Sequence, residues 1–472
     1  MSYKTNIKLT YKKFRQMGKA LLRVNGNNIH SGNLSVRDPD DPDRFYVTAS
    51  GSQIGELVLR DIVSLRFSGV SREEERASTE SNIHRKVLSI PGVKACMHCH
   101  HIISALITFD TRERQIFLHF MNTDSQGREE FVFQPVDIHG SSILGGVVVG
   151  SCKQPIGSIE REERIPKYLS NSPVTLVQGH GPFARGASLE ECLRYVSVLE
   201  NSATIAVSLR RRGIDFGWIQ KKIMEQGAAS VFPKYATPVN DQASGKGKID
   251  DVSTISDFAC WLSYIHNFRI GAYATGSMSR KVTSEEMIFC PMSSVPENMS
   301  FPLYRVSTKM KEGDNFEIAL HKLIYNQTDY TACIMATNPL ACADGMAILA
   351  EKFGIESLLG ESDNIPYFQK DHPVITPIDA EGIHLNPRLG LVDVTQLNNL
   401  TPENPILDMI RWHKGCCVVA GFGVIAAGET TIEQAARNIA SAERIGNFRT
   451  EVFMNEKLLN GPPMKSFEPK TF

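Results

Sequence analysis

No apolar stretch in these 472 residues is long enough to span a bilayer, and residues 1–14 lack the apolar core of a signal peptide. Neither sign of charge is in excess: 51 basic and 52 acidic residues give a formal net charge of -1. That balance argues against nucleic acid or a membrane surface as partner, since both favour a basic patch, while leaving room for a local pocket that takes a phosphorylated metabolite. The ten cysteines are scattered without a framework, so reduced thiols in a cytoplasm are the expectation. The length is too great for one core and predicts two or three domains.

Cys96-Met97-His98-Cys99-His100 matches the CxxCH string used to attach c-type haem. The segment reads as a strand, on which 96, 98 and 100 face one way and 97 and 99 the other. Two thioether bonds to one porphyrin from opposite faces are awkward, and a redox dithiol meets the same difficulty. The histidines therefore separate from the cysteines.

Along the chain, Phe14, Met17, Leu21 and Val24 fall at helical spacing and predict an opening helix, closed by the Gly/Asn-rich turn at 25–28. Strands are expected over 31–37, 45–48, 93–100, 115–121, 130–135 and 174–178. A helix carrying Ile83, His84 and Val87 starts at Ser78-Thr79-Glu80, with Ser78 as its N-cap. A long helix through Leu189, Cys192, Val196 and Leu199 ends near Arg212-Gly213. Strands mixed with helices in no strict alternation predict an α/β architecture of the α+β kind, helices packed on a sheet.

After the polar stretch 225–252 the pattern restarts, with Trp261, Ile265 and Phe268 on a second opening helix. Thr275-Gly276-Ser277-Met278-Ser279 echoes Ser31-Gly32-Asn33-Leu34-Ser35 at an offset of 244. An offset of 237 carries Glu80 to Glu317, His84 to His321 and Cys96 to Cys333. Gly421-Phe422-Gly423 echoes Gly179-His180-Gly181 at 242. Four echoes in one order predict a tandem duplication with loop insertions.

His98 and His100 project from one face of a strand and can chelate one ion. His180 sits between two glycines after an apolar strand, where backbone can approach closely and a loop can deliver a third ligand. Three neutral histidines without a fourth protein ligand describe an open, catalytic zinc site. Glu80 shares a helix face with His84; His84 itself reads as a structural residue. Ser78-Thr79 at a helix N-terminus is a natural anion site. Asp215-Phe216-Gly217 and Gly245-Lys246-Gly247-Lys248 are chance matches to kinase and phosphate-loop strings, with none of the required context.

Together these stretches resemble the class II aldolase/adducin family, typified by fuculose-phosphate aldolase and ribulose-phosphate 4-epimerase. The motifs are those at 31–37, Thr48-Ala49-Ser50-Gly51, Ser78-Thr79-Glu80, His98-Cys99-His100 and Gly179-His180-Gly181, over about residues 9–212. The resemblance implies a three-layer fold, a mainly antiparallel central sheet flanked by helices, here in two tandem copies. It implies His98, His100 and His180 as ligands of a divalent metal, Zn2+ first, with Mn2+, Co2+, Ni2+ or Fe2+ as alternatives. Glu80 is then the acid/base, and Asn33, Ser50, Gly51, Ser78 and Thr79 hold a substrate phosphate. The implied reaction is retro-aldol cleavage of a small phosphorylated hydroxy-carbonyl compound through a metal-stabilised enediolate. Decarboxylation or dehydration at the same site, on a sugar phosphate or keto acid, is the alternative.

In the second copy His98 falls on Met335 and His100 on Thr337, or with one residue of slip on Ala336 and Asn338; His180 falls on Phe422. Neither register restores a triad, so this copy is expected to hold no such metal. The expected organisation is a metal-bearing domain at 1–213, a linker at 214–252, a second domain at 253–449 and a tail at 450–472. An adducin-like scaffold is the competing reading, apt for the second copy. Family members commonly form four-fold rings, and a homodimer of this chain is expected to make a ring of four domains.

Overall fold

Short β segments build two sheets, and helices pack on each of them. In the computed structural model the described residues are 3–24, 32–69, 71–151, 158–232, 249, 251–273, 275–291, 303–362 and 365–459. Two compact units are present: Met1–Pro135 with Ile143–Ala203, and Val136–Ser142 with Thr204–Phe472. The turn at 25–28, Ser31 and Gly245 to Lys248 lie outside the described residues.

The first unit opens with α1 (Tyr3–Arg23), whose Phe14, Met17 and Leu21 are buried as their helical spacing predicts. β1 (Asn33–Arg37), β2 (Arg44–Thr48) and β3 (Ile62–Arg66) form an antiparallel meander. Next come α2 (Ser81–Leu88), β4 (Ala95–His98), α3 (Ile102–Leu106), β5 (Leu118–Thr123) and β6 (Glu129–Phe133). α4 (Ile138–Ile143) belongs, but for its last residue, to the second unit; the first resumes with β7 (Val147–Gly150), α5 (Ile159–Asn171), β8 (Val174–Val177), β9 (Gly181–Gly186) and the long α6 (Leu189–Arg211), assigned to it as far as Ala203. The sheet order is β3-β2-β1-β4-β9-β8-β7-β6-β5. Every pairing is antiparallel except β7 with β8. Phe45, Val63, Leu65, Val87, Cys96, Leu169 and Phe183 fill the space between this sheet, α2 and α5.

Beyond α7 (Gly217–Gln226) and α8 (Ala228–Val231), the second unit repeats the plan with α9 (Val252–Asn267), β10 (Ser277–Lys281), β11 (Glu286–Pro291) and β12 (Tyr304–Ser307). It continues through α10 (Phe316–Gln327), β13 (Ala332–Ala336), α11 (Pro339–Phe353), β14 (Val374–Ile375) and α12 (Ala380–Leu385). β15 (Leu389–Asp393), α13 (Pro405–Trp412), β16 (Cys416–Ala420), β17 (Gly423–Gly428) and α14 (Ile432–Leu459) complete it. Its order, β12-β11-β10-β13-β17-β16-β15-β14, is that of the first sheet without a counterpart for β5. The one parallel pairing, β15 with β16, falls at the same place. The fold is thus two tandem α/β copies with mainly antiparallel sheets. No described helix is long and apolar enough to cross a membrane.

Two local readings are corrected. α2 begins at Ser81 with Glu80 at its N-cap position, so Ser78 is not the cap; its Oγ instead accepts the Glu80 amide at 3.3 Å. The strand expected over 93–100 stops at His98, leaving His100 in the following coil.

Candidate metal centre

β4 lies in the middle of its sheet, between β1 and β9, so its last residue is fixed on both sides: His98 stands opposite Asn33 and opposite Phe183. The imidazole of His98 is buried and stacks on the Phe183 ring, centroids 3.9 Å apart and planes within 10°. Its Nδ1 lies 2.8 Å from the Pro182 carbonyl. A carbonyl only accepts, so Nδ1 of the neutral ring carries the proton and Nε2 keeps its lone pair, a tautomer lock typical of metal-bound histidine. That Nε2 faces His100 Nε2 at 3.0 Å.

His100 leads into α3, whose first amides, Ile103 and Ser104, donate to the Glu200 carboxylate at 3.0 and 2.8 Å. His180 arrives from the turn between β8 and β9. The turn is pinned by Gly179 N donating to Thr108 Oγ1 at 2.8 Å. Gly181 has φ +147°, and a Cβ there would collide with the Cys99 carbonyl. Only glycine lets this turn lie against the His98–His100 segment.

One nitrogen from each of His98, His100 and His180 lies within 4.8 Å of the others. A tetrahedral zinc with bonds of about 2.1 Å spaces its nitrogens by about 3.4 Å. His180 Nε2 is buried without a hydrogen-bond partner among the described residues. Such orphaned polar atoms are costly unless a ligand satisfies them. Burial pushes His98 far below its ordinary pKa and His100 down to about 4, so both are neutral donors near pH 7. The donor set therefore fits a divalent ion. Cys96 and Cys99 are buried and their thiols pushed well up by burial; they lie outside the histidine cluster.

Glu80 is held at the edge of this cluster. Oε2 accepts from Asn33 Nδ2 at 2.8 Å and lies 3.5 Å from His98 Nε2. Oε1 lies 3.5 Å from His180 Nε2 and 3.0 Å from Arg161 Nη2. Burial alone would raise the carboxyl, yet His98, His180, Arg161 and Asn33 outweigh it and hold Glu80 well below the usual carboxylate range. Asn33 is oriented in turn by His84, whose Nε2 bonds Asn33 Oδ1 while its Nδ1 bonds Ser35 Oγ at 2.6 Å. Ser78 Oγ is 3.1 Å from Asn33 Nδ2, whereas Ser50, Gly51 and Thr79 are exposed.

Arg161 escaped the sequence reading. It sits in the charged run Glu160-Arg161-Glu162-Glu163-Arg164, which resembles a solvated face. The signal was its register: Arg161, Ile165, Tyr168 and Leu169 form one buried stripe of α5.

The second copy shows the same frame without the chemistry. Met335 stands opposite Ser277 as His98 stands opposite Asn33, so the gapless register holds and Thr337 takes the place of His100. Phe422 precedes Gly423, whose φ of +143° and contact with the Ala336 carbonyl repeat those of Gly181. Met335 and Phe422 are buried, Phe422 against Phe316 and His139. Thr337 Oγ1 is taken by the Ala272 amide at 2.8 Å. His321 keeps the bonding of His84, to Ser277 and Ser279.

Residues 12–207 match the family described as Class II Aldolase and Adducin N-terminal domain. The first half of this chain is a class II aldolase domain. Among known proteins it is similar to "Methylthioribulose-1-phosphate dehydratase" of Microcystis aeruginosa, 28% identical over 175 residues, covering 36% of this chain and 81% of that protein. The protein of the same name from Leptospira biflexa is 26% identical over 183 residues, covering 36% and 82%. Among solved structures, L-fuculose-1-phosphate aldolase from Thermus thermophilus is 26% identical, covering 42% of this chain and 93% of that one, with a TM-score of 0.36. The class II aldolase family depends on a divalent metal, in keeping with the nitrogen triad of the first copy.

Proposed function

We propose that this chain is a metal-dependent lyase that eliminates water from, or cleaves, a small phosphorylated hydroxy-carbonyl compound at His98, His100, His180 and Glu80. The observation that carries the reading is the convergence of three imidazole nitrogens within 4.8 Å beside a buried carboxylate. A divalent ion held there, zinc in our reading, would supply Lewis acidity toward the substrate carbonyl and hydroxyl oxygens.

Glu80, ionised, takes the proton from the carbon next to the carbonyl. In dehydration the electron pair of that C–H bond becomes the new C=C bond as the hydroxyl on the next carbon leaves and, with a proton, becomes water. Asn33 and Arg161 hold one oxygen of Glu80 each. Asn33, Ser50, Gly51, Ser78 and Thr79 are assigned to the substrate phosphate. The names of the similar proteins favour dehydration over the retro-aldol reaction expected from the motifs alone.

The test is turnover of methylthioribulose 1-phosphate and fuculose 1-phosphate by zinc-loaded protein. Water elimination from the first, abolished by a chelator, is expected. No turnover of either by protein carrying one equivalent of zinc would count against the reading.

Residues 1–213 are assigned the reaction and 253–449 a structural role, for which the buried Met335 and Phe422 speak. A homodimer completing a ring of four domains is our reading of the assembly. Its support is a repeated element: Pro135-Val136-Asp137 and Pro377-Ile378-Asp379 each lead into a turn in which the aspartate accepts a glycine amide three residues on. Within the second unit the former donates Ile138 N to the Gly421 carbonyl at 2.9 Å; Ile378 of the latter is exposed. A solution mass of twice 52.4 kDa is expected; a stable monomer would refute it.

A further inference from the structure

We infer that Arg161 is a positioning residue that competes with the metal for Glu80, keeping that carboxylate as an acid/base and out of the ion's coordination shell. The inference rests on the metal site proposed above and concerns how one of its side chains is kept available.

The geometry is specific. Arg161 is fully buried, rare for an arginine, and its Nη2 lies 3.0 Å from Glu80 Oε1. That same oxygen is 3.5 Å from His180 Nε2. A carboxylate oxygen so close to a ligand nitrogen is within reach of an ion on that nitrogen. Four protein ligands make a closed, structural zinc site, whereas three leave the position that catalysis needs. A full positive charge beside that oxygen, with Asn33 holding the other one at 2.8 Å, competes with the ion for it.

The fold makes the arginine hard to displace. Ser158 caps α5 through the Arg161 amide. The guanidinium lies 5.6 Å from the centre of the Phe183 ring, whose plane also stacks on His98. The same ring thus lies near both the arginine and His98, and α5 packs against α2, which carries Glu80 at its N-cap.

The chain also contains an internal comparison. Both copies keep the glutamate, Glu80 and Glu317. At the offset of 242 that aligns β8 with β16, Arg161 falls on the exposed Glu403, before α13 begins at Pro405. The turn of helix that delivers Arg161 therefore has no counterpart in the second unit. The arginine is absent where the three histidines are absent, although the glutamate stays.

The test is zinc affinity, measured by chelator competition at constant pH on full-length protein, for wild type, Arg161→Met, Arg161→Lys, Glu80→Gln and the Glu80→Gln, Arg161→Met double variant. Arg161→Met is expected to bind zinc about tenfold more tightly, the lower end of what outer-shell partners are worth, with kcat reduced at least tenfold. Arg161→Lys keeps the charge and should restore wild-type affinity and much of kcat. In the Glu80→Gln background the substitution should leave affinity unchanged, because no carboxylate remains to be recruited. Weaker or unchanged zinc binding in Arg161→Met overturns the inference. So does equal tightening in the Glu80→Gln background, which would make the guanidinium a general charge effect. If Arg161→Met fails to fold, Arg161→Gln, which removes the charge but keeps a polar group beside Glu80, replaces it with the same two outcomes. Failure of the underlying site is distinguishable: wild type itself would then bind no zinc through the histidines.

Discussion

Two buried histidines should make the stability of this protein fall on mild acidification by about 4 kcal/mol between pH 7 and pH 5. His84 and His321 occupy the same place in the two copies, and both are completely buried. Burial lowers His84 to about 4 and His321 to about 3. In the unfolded chain each titrates near its ordinary value of about 6.5. Because the folded-state value is depressed, the contribution is fully present above pH 6.5. It declines as the pH falls, since the unfolded chain takes a proton that the folded one refuses. Each unit of pH below 6.5 costs about 1.4 kcal/mol per group, hence about 2 kcal/mol per histidine at pH 5. His321→Gln removes one of the two. Urea unfolding at pH 7, 6 and 5 should then show the loss between pH 7 and 5 smaller by about 2 kcal/mol than in wild type. The difference between the proteins is the readout, because the other groups titrate alike in both. An unchanged pH dependence in His321→Gln would refute the reasoning.

Glu80→Gln should retain its zinc while kcat falls by about 10²–10⁴-fold, the usual worth of a general base, as read by metal analysis beside steady-state kinetics. Gly181→Ala places a methyl group against the Cys99 carbonyl at φ +147°. It should weaken zinc binding about tenfold or more by moving His180, and chelator competition measures it. Gly423→Ala repeats the same strain in the second copy, and should lower the thermal midpoint without changing zinc affinity.

The grouping of His98, His100 and His180 was legible because these residues obey local rules: an HxH at a strand end and a histidine between glycines. The duplication was legible because small residues needed for close backbone approach recur, as at Gly181 and Gly423. Register between the copies was ambiguous by one residue at Met335, since strand pairing partners cannot be read from one segment; the opposition of Ser277 and Met335 settled it. Arg161 was hidden because charged neighbours mask a residue whose burial depends on α5 packing against α2. The N-cap of α2 was misplaced by two residues, because Ser78 is drawn into bonding with Asn33 and the Glu80 amide instead. The membership of Val136–Ser142 in the second unit depends on contacts nearly three hundred residues away in sequence, such as Ile138 with Gly421, which no local pattern announces.

The most direct test of the central claim is metal content of the full-length protein and of its His98→Ala, His100→Ala variant, both equilibrated with zinc and freed of excess. One equivalent per chain in the wild type and none in the variant is the expected result: a site in the first copy and no equivalent in the second. Two equivalents in the wild type, or an unchanged content in the variant, would contradict it.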